Sequence, residues 1–380
     1  MSIMATHPNT EKEHVADPLA IEAVDHIEII CGNARQSVLF YAYSLGFTPV
    51  AYRGPETGYQ DAVSYVLEQE NIRFVLTSPV RPGHWMNTFL ARHGDSVRVV
   101  ALRVRNCEAF YEETMKRGAR SAEPPAMWED ESGQLMRAGI CTYGEVVHAI
   151  IERKNYKGNF FPGFVPYTKF FPPMEHGPGV GLKAIDHVVG NVELGMMNEW
   201  VSFYEKILGF RQLQHFSDKE ISTEYSALMS KVMTDGKKIK FPFNEPAEGR
   251  RKSQIQEYLE FHDGPGVQHI AMITDDIIRT VGELRRRGVP FLYVPETYYQ
   301  DLPERVGAIK EDLRRISELG VLVDRDEDGY LLQLFTKPVQ DRPTLFFEII
   351  QRRGSQGFGV GNFKALFEAI EREQALRGNL

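Results

Sequence analysis

The chain contains an internal repeat, and this repeat limits the possible folds more than any other feature of the sequence. Residues 23–47 begin with Ala-Val-Asp-His and end with Leu-Gly-Phe, while residues 184–210 begin with Ala-Ile-Asp-His and end with Leu-Gly-Phe. In both passages the first residues are typical of a strand, and the apolar spacing before the glycine predicts an amphipathic helix. We expect Gly46 to end the first of these helices. A supersecondary unit that occurs twice predicts two homologous halves.

The repeat extends to two further strands in each half. Val99 and His269 occupy matching places, because the same number of residues separates each of them from a later Arg-Gly pair. Near the end of each half, Val-His-Ala-Ile-Ile-Glu-Arg at residues 147–153 matches Phe-Phe-Glu-Ile-Ile-Gln-Arg at residues 346–352. This alignment makes Ala149 the counterpart of Glu348.

Three matching strand positions carry different side chains in the two halves. They are His187, His269 and Glu348 in the second half, and His26, Val99 and Ala149 in the first. A lone glutamate at a strand edge usually faces water, and a lone histidine is more often part of a core than a ligand. A carboxylate among apolar neighbours, however, costs several kcal/mol unless a cation or strong donors meet it. Two imidazoles and a carboxylate are the ligand set of non-haem Fe(II) oxygenases, although zinc, manganese or nickel would also fit. We therefore predict a metal site in the second half that the first half has lost.

The overall composition excludes several classes of function. A length of 380 residues predicts two or three domains, and a net charge of −8 argues against nucleic acid or an anionic membrane as the main partner. The three cysteines are far apart, which fits no disulfide framework and favours a reducing, cytoplasmic location. The sequence has no signal-peptide pattern and no apolar run of membrane length.

The repeat and its interruptions divide the chain. We predict a disordered tail at residues 1–20, a first domain at 21–154, a linker rich in proline, glycine and phenylalanine at 155–181, and a second domain at 182–380. Residues 295–319 have no counterpart in the first half and are expected to form a helical insertion. A glycine-rich run at 354–361 precedes a predicted amphipathic helix, which is either a lid or a helix docked on the sheet.

Polar residues within apolar strands of the second half suggest a binding pocket. They are Gln268, Gln333, Ser226, Asn244 and Gln254. Buried amides need hydrogen-bond partners, either among themselves or on a polar substrate. The side chain of Gln268 should point away from that of His269 unless the strand is bulged. Phe335, Phe358 and Phe363 are candidate aromatic walls, although phenylalanines are more often plain core.

Several motifs of the second half agree with one family. They are Asp-His-Val-Val-Gly-Asn-Val at 186–192, Phe-Pro-Phe-Asn-Glu-Pro at 241–246, Gly-Val-Gln-His-Ile at 266–270, Gln-Leu-Phe-Thr-Lys-Pro at 333–338, Phe-Glu-Ile-Ile at 347–350 and Gly-Phe-Gly-Val-Gly-Asn-Phe at 357–363. In these motifs the chain resembles the 4-hydroxyphenylpyruvate dioxygenases of the vicinal oxygen chelate superfamily. The resemblance covers nearly the whole chain and is looser in the first half.

The resemblance implies an α+β fold of two tandem modules. Each module would pair two βαβββ units in an open, curved, barrel-like sheet with helices outside, and the C-terminal helix would act as a gate. One Fe(II) per chain would be held by His187, His269 and Glu348. The resemblance assigns catalytic roles to Gln268, Gln333, Phe335 and Asn244, and it assigns substrate binding to these four together with Ser226, Gln254, Phe358, Asn362 and Phe363.

The implied activity converts 4-hydroxyphenylpyruvate and O2 to homogentisate and CO2 in tyrosine and phenylalanine catabolism. It combines oxidative decarboxylation, ring hydroxylation and side-chain migration, in a homodimer or homotetramer. The nearest alternative is 4-hydroxymandelate synthase, against which Phe335, Pro242 and Asn244 keep the dioxygenase pattern. A non-catalytic paired-module binding protein would lack the metal ligands. A glyoxalase-type isomerase would usually need a fourth ligand, which Val99 and Ala149 cannot supply.

Overall fold

The computed structural model describes residues 17–175, 177–216, 227–247 and 251–379. Within these ranges the chain forms two large β-sheets, one from each half of the sequence. The predicted tail at residues 1–20 lies mostly outside the described residues. None of the helices within the described ranges combines the length and the apolar character needed to span a bilayer.

The first sheet has nine strands in the order β6-β7-β8-β5-β1-β4-β3-β2-β9. These strands are β1 (Ile21–Ile30), β2 (Thr48–Arg53), β3 (Ala62–Gln69), β4 (Ile72–Pro79), β5 (Ser96–Val104), β6 (Ser121–Asp130), β7 (Gly133–Cys141), β8 (Val147–Tyr156) and β9 (Val165–Pro166). The helices of this half are α1 (Ala34–Leu39), which continues as a π-helical turn over Phe40–Ser44, α2 (Trp85–His93) and α3 (Cys107–Lys116).

The second sheet has eight strands in the order β11-β12-β13-β10-β14-β17-β16-β15. These strands are β10 (Leu182–Asn191), β11 (Arg211–Phe216), β12 (Ala227–Thr234), β13 (Lys240–Ala247), β14 (Gly266–Thr274), β15 (Leu322–Arg325), β16 (Tyr330–Phe335) and β17 (Phe346–Arg353). The helices of this half are α4 (Met197–Leu208), α5 (Gln254–His262), α6 (Ile277–Arg286), α7 (Leu302–Val306), α8 (Leu313–Leu319) and α9 (Val360–Leu376).

Each sheet is built from two βαβββ units, here called modules, and the first sheet also contains the short strand β9. In every module the first and the last strand are parallel neighbours, namely β1 with β4, β5 with β8, β10 with β13 and β14 with β17. The first strands of the two modules pair antiparallel at the centre of each sheet, as β1 with β5 and β10 with β14. The predicted fold of paired βαβββ units in curled sheets with helices is confirmed.

Local sequence explains where the first helix of each half ends. Gly46 and Gly209 have φ angles of 77° and 70°, which lie in the left-handed region that glycine adopts without steric cost. The backbone N–H of Gly46 donates to the carbonyl of Ala42, and that of Gly209 donates to Glu205, which closes the last turn of each helix. The chain can then reverse into the next strand of the module.

The strand registers of the two halves agree with the repeat found in the sequence. Positions that correspond in the two halves face corresponding partners across neighbouring strands. The pairs are His187–Ala271 and His26–Ala101, Val189–His269 and Glu28–Val99, and His269–Phe346 and Val99–Val147. The first sheet therefore carries Val99 and Ala149 where the second carries His269 and Glu348.

The corresponding face of each sheet is covered by an aromatic segment that follows its last long strand. In the first half, Phe160, Phe161 and Phe164 pack with Val99 and Ala149 in one buried cluster. In the second half, Phe358 and residues of α9 cover the face that carries the two histidines and the glutamate. The segment at residues 295–319, predicted to be a helical insertion, forms a 3-10 turn at Glu296–Tyr299 followed by α7 and α8.

Candidate metal centre

Glu348 lies in the middle of β17 with its carboxylate buried. Its residue is 3% exposed, so the alternative of a glutamate that faces water is excluded. One carboxylate oxygen, Oε2, lies 3.1 Å from Nε2 of His187 and 3.4 Å from Nε2 of His269. These three ligand atoms all lie within 4.8 Å of one another. The three side chains are thus close enough to share one ion.

A β-bulge brings Asp186 to the same site as His187. Between β10 and β14, Ile185 pairs with Met272 while His187 pairs with Ala271, so Asp186 is an extra residue in its strand. A bulge of this kind interrupts the alternation of side chains along a strand. The carboxylate of Asp186 can therefore accept a hydrogen bond of 2.8 Å from Nδ1 of His187.

A second bulge resolves the expected orientation of Gln268. Val189 pairs with His269, but Gly190 pairs with Val267, which leaves Gln268 as the extra residue. Its side chain therefore lies beside that of His269, and its Oε1 is 2.9 Å from Nδ1 of His269. The strand is bulged at Gln268, and for this reason its side chain does not point away from that of His269.

These hydrogen bonds fix the proton on the outer nitrogen of each imidazole. The oxygens of Asp186 and Gln268 only accept, so Nδ1 is the donor in both rings. In a neutral imidazole Nε2 then presents a lone pair, and both Nε2 atoms face the carboxylate of Glu348. Three lone-pair atoms that converge in a buried space repel one another unless a cation lies among them. The donor set therefore fits a divalent metal, and the outer-shell partners are of the kind that orient metal-bound histidines.

Burial and mutual charge shift the pKa values of the three groups. Burial by itself would raise the pKa of Glu348. When His187 and His269 are protonated, however, their Nε2 atoms donate to Glu348, and this charge and these hydrogen bonds outweigh burial and lower the pKa of Glu348 to about 2. Burial lowers the pKa of His269, whereas for His187 the charge of Glu348 and the bond to Asp186 overcome burial and raise it. The carboxylate of Glu348 is thus ionised at neutral pH, as a metal ligand must be.

Arg352 holds the carboxylate of Asp186 from the other side. Its Nε and Nη2 atoms donate to the two oxygens of Asp186, both at 2.7 Å, in the bidentate geometry of strong arginine–carboxylate pairs. Burial would raise the pKa of Asp186, but the hydrogen bonds and charges of Arg352 and His187 bring it well below its usual value. Asp186 is therefore a fixed anion behind His187.

A cavity of about 60 Å³ opens next to the three ligand atoms. Its walls are mostly apolar, with a few amide and hydroxyl side chains. α9 and the residues before it close one side, and the ring of Phe358 lies 5.0 Å from that of His187. Such a site can hold an aromatic molecule with polar ends against a metal.

Comparison with known proteins agrees with this geometry. A family model described as the Glyoxalase/Bleomycin resistance protein/Dioxygenase superfamily matches residues 23–134 and 184–334. A 4-hydroxyphenylpyruvate dioxygenase of Yarrowia lipolytica is 45% identical over 390 residues, which cover 100% of this chain and 99% of the relative. One of Dictyostelium discoideum is 47% identical over 367 residues, covering 95% of this chain and 100% of the relative. The chain belongs to the 4-hydroxyphenylpyruvate dioxygenase family.

Solved structures support the same assignment of fold. A triple mutant of 4-hydroxymandelate synthase from Streptomyces coelicolor superimposes with a TM-score of 0.82 at 32% identity, covering 93% of this chain and 99% of that one. A fusion of a xylose isomerase-like TIM barrel with 4-hydroxyphenylpyruvate dioxygenase has a TM-score of 0.69 at 24% identity. It covers 93% of this chain and 53% of that chain, and it shows the fold alone.

Most of the residues that the family resemblance marks for substrate binding line the cavity. They are Asn244, Gln254, Gln268, Phe335, Phe358 and Phe363. Nδ2 of Asn244 lies 3.4 Å from Oε1 of Gln268 and 3.3 Å from Oδ1 of Asn191, so the amides form a small network beside His269. The structure brings these predicted residues together at one site.

Gln333 and Asn362, which the resemblance also marks for substrate binding, do not line the cavity. Gln333 is 1% exposed and does not line the cavity, and its amide lies against Gly359, without a hydrogen-bond partner among the described residues. Asn362 also does not line the cavity, and its Oδ1 accepts a hydrogen bond of 2.5 Å from the hydroxyl of Tyr298. Gln333 thus lies against the segment that precedes α9, and Asn362 lies in the first turn of α9. Their contact with substrate stays a prediction.

Ser226 lies outside the described residues, whereas Ser230, which sequence reasoning missed, lines the cavity. Ser230 on β12 pairs with Asn244 on β13. The alternation of Leu228, Ser230 and Val232 along β12 was the available pattern, because all three face the cavity.

Asp186 and Arg352 were also missed as parts of the site. The repeat contained a usable pattern, since each half has an Asp-His pair in its first strand and an arginine at the end of its last long strand. Arg153 donates to Asp25 at 2.7 and 2.8 Å, and Asp25 accepts from His26 at 2.8 Å. An arginine–aspartate–histidine chain therefore occurs in both halves.

Proposed function

We propose that this protein is an Fe(II)-dependent 4-hydroxyphenylpyruvate dioxygenase that forms homogentisate and CO2 from 4-hydroxyphenylpyruvate and O2. The observation that carries the proposal is the convergence of His187, His269 and Glu348 on one side of a mostly apolar cavity. Identity of 44% to 47% to dioxygenases of this name, over almost the full chain, gives independent support.

The residues present suit one Fe(II) per chain. Two imidazoles and one carboxylate leave several coordination positions open, and this set is characteristic of non-haem iron oxygenases. When bound, Fe(II) would supply the sites and the redox chemistry by which a 2-oxo acid and dioxygen react. Asp186 and Gln268 would keep both Nε2 atoms free of protons for this role.

The remaining residues would bind and orient the substrate. Asn244, Gln254 and Gln268 offer amide groups for the phenol and the 2-oxo acid. Oε1 of Gln254 has no hydrogen-bond partner among the described residues, and buried amides are rarely left unbonded. Phe335 lies next to His269, with 5.9 Å between the ring centres, so it can pack against the aromatic ring of the substrate beside the metal. Phe358 and α9 would exclude water from the cavity while the reaction proceeds.

The alternative activity, 4-hydroxymandelate synthesis, uses the same substrate and differs in the carbon that is hydroxylated. The structural likeness to a 4-hydroxymandelate synthase is the observation that favours this alternative. Phe335 beside the metal site favours attack on the ring over attack on the side chain.

The test is product analysis with iron-loaded protein. Metal-free protein is loaded anaerobically with Fe(II), mixed with 4-hydroxyphenylpyruvate and O2, and its products are separated by chromatography. Homogentisate with equimolar CO2 is expected, and Glu348→Ala serves as the inactive control. Formation of 4-hydroxymandelate alone, or binding without turnover, would overturn the proposal in favour of the synthase or of a binding protein.

The remaining proposals concern the oligomeric state and the cellular location. The protein is expected to act on a small molecule as a cytoplasmic homodimer or homotetramer. Its free cysteines, of which Cys31 and Cys107 are buried, suit a reducing compartment. Sedimentation of the full chain would distinguish a dimer from a tetramer, and a monomer at micromolar concentration would contradict both.

A further inference from the structure

Arg352 makes hydrogen bonds to two different parts of the second half. Through Nε and Nη2 it holds Asp186, which accepts the Nδ1 proton of His187. Through Nη1 it donates to the carbonyl oxygens of Ser355 at 3.2 Å and Gly357 at 2.7 Å. Those carbonyls belong to the glycine-rich turn that leads into α9. One planar guanidinium therefore joins the partner of a metal ligand to the start of the helix that covers the cavity.

The ring of Phe358 completes this connection. It lies 5.0 Å from the ring of His187 on one side, and the guanidinium carbon of Arg352 lies 5.7 Å from its centre. The side chains of Arg352 and Asp186 are only 11% and 7% exposed. Because these contacts are buried and charged, loss of one partner would leave the others unsatisfied rather than solvated.

The first half contains the same arrangement without a metal site. Arg153 donates two hydrogen bonds to Asp25 and one to the carbonyl of Phe160. Its guanidinium carbon lies 5.0 and 4.6 Å from the ring centres of Phe160 and Phe161. The ring of Phe160 is 5.0 Å from His26, as Phe358 is from His187. The arginine therefore connects the covering segment to the Asp-His pair in both halves. Of the two histidines, only His187 has a carboxylate next to its Nε2 among the described residues, that of Glu348 at 3.1 Å.

We propose that Arg352 is a positioning residue that couples the seating of the capping segment, residues 355–376, to the orientation of the His187 imidazole. This inference rests on the proposed metal centre. When the capping segment is seated, its carbonyls hold the guanidinium in plane with Asp186, and Asp186 holds the ring of His187 toward Glu348. Displacement of the segment removes two acceptors from Arg352 and loosens Asp186, so metal binding and closure stabilise each other. Such coupling is reciprocal by thermodynamic necessity.

The test uses the full chain, with Co(II) as a spectroscopic substitute for Fe(II). Metal-free wild type, Arg352→Lys and Arg153→Lys are titrated with Co(II), and hydrogen exchange of peptides from α9 is measured with and without saturating Co(II). Lysine keeps the charge but cannot bind Asp186 and two carbonyls in one plane. Arg153→Lys is the matched control, because it alters the same arrangement where no metal ligands exist.

In the wild type, Co(II) is expected to slow exchange in α9. In Arg352→Lys the Kd for Co(II) should rise by about 10- to 100-fold, the usual effect of removing an outer-shell partner. Saturating Co(II) should then no longer protect α9. In Arg153→Lys both the affinity and the protection should match the wild type. If Arg352 had only a structural role, Arg352→Lys would speed exchange in α9 equally with and without metal. Co(II) would then still protect α9 in the variant.

Each other outcome has a defined meaning. If Co(II) protects α9 in Arg352→Lys as strongly as in the wild type, the coupling is absent. If the wild type binds Co(II) without protection of α9, the coupling fails while the metal centre stands. If the wild type binds no Co(II), both proposals fall. If Arg352→Lys does not fold, hydrogen exchange of α9 in the wild type with and without Co(II) still tests whether metal binding and closure are coupled.

Discussion

Nε2 of His148 on β8 lies 2.6 Å from the hydroxyl oxygen of Tyr204 on α4, and this contact joins the two halves of the chain. Nδ1 of His148 is 2.9 Å from the carbonyl of Val100 and donates to it, so Nε2 accepts the proton of Tyr204. Burial lowers the pKa of His148 to about 4, although the bond to Val100 opposes this shift. The interface between the halves therefore needs a neutral imidazole.

Acid is expected to weaken the folded state through this histidine. The unfolded chain, with a histidine pKa near 6.5, binds more protons than the folded chain between about pH 6.5 and 4, so stability falls as the pH falls through that range. The loss amounts to roughly 3 kcal/mol in the free energy of unfolding. Roughly 2 kcal/mol of this loss falls between pH 7.5 and pH 5, and urea unfolding at these two pH values measures it. His148→Gln should show a smaller difference between the two pH values, whereas the exposed His215→Gln should behave as the wild type. Equal pH dependence in all three proteins would contradict the role of His148.

His187 and His26 occupy equivalent places, and each donates to a neighbouring aspartate. His187→Ala is expected to prevent metal binding and to lower turnover by more than about 100-fold, since even outer-shell changes cost about 10- to 100-fold. His26→Ala should cost about 1 to 3 kcal/mol of stability, because the buried Asp25 loses one of its hydrogen bonds, but it should retain the metal. Metal content by mass spectrometry and turnover are the measurements. Equal metal loss in both variants would point to a general packing defect.

Phe335 is expected to direct oxidation toward the substrate ring. Phe335→Ile should raise the fraction of 4-hydroxymandelate among the products, because a smaller side chain gives the substrate room to shift beside the metal. Phe346→Ile is the control, since Phe346 also contacts the ring of His269, at 4.9 Å. Chromatography of the products measures the fraction. The same shift in both variants, or in neither, would argue against a directing role for Phe335.

The far end of α9 is fastened by an ion pair. Arg377 donates to both oxygens of the buried Glu257 on α5, at 3.1 and 2.7 Å. Arg377→Gln is expected to destabilise the closed position of α9 by about 1 to 2 kcal/mol, because a buried carboxylate loses its cation while Asn379 still donates to it. If α9 gates the cavity, more O2 should be consumed for each homogentisate formed.

The control for this prediction lies on the same helix. Arg372 donates to the carbonyl of Tyr293 on the outer side of α9, so Arg372→Gln should leave the ratio of O2 to homogentisate unchanged. An oxygen electrode combined with product analysis gives that ratio. Full coupling in Arg377→Gln would show that α9 is a docked helix rather than a gate.

The repeat made much of the fold and the ligand set readable from sequence. Strand and helix periodicity depend on neighbouring residues, so the βαβββ modules could be recognised twice along the chain. Comparison of the two copies then singled out His187, His269 and Glu348, because His269 and Glu348 replace apolar residues of the first half at matching positions. That comparison needs no knowledge of how the strands pair.

The arrangement around those ligands depended on the tertiary structure. Whether Asp186 and Gln268 turn toward the histidines is decided by two bulges, and a bulge arises from how β10 pairs with β14 rather than from either strand alone. The same holds for Ser230, whose place opposite Asn244 follows from the register of β12 and β13. The link from Arg352 to both Asp186 and Gly357 joins residues distant in the chain. The sequence by itself determined which side chains are available, and only the packing of distant strands decided which of them meet.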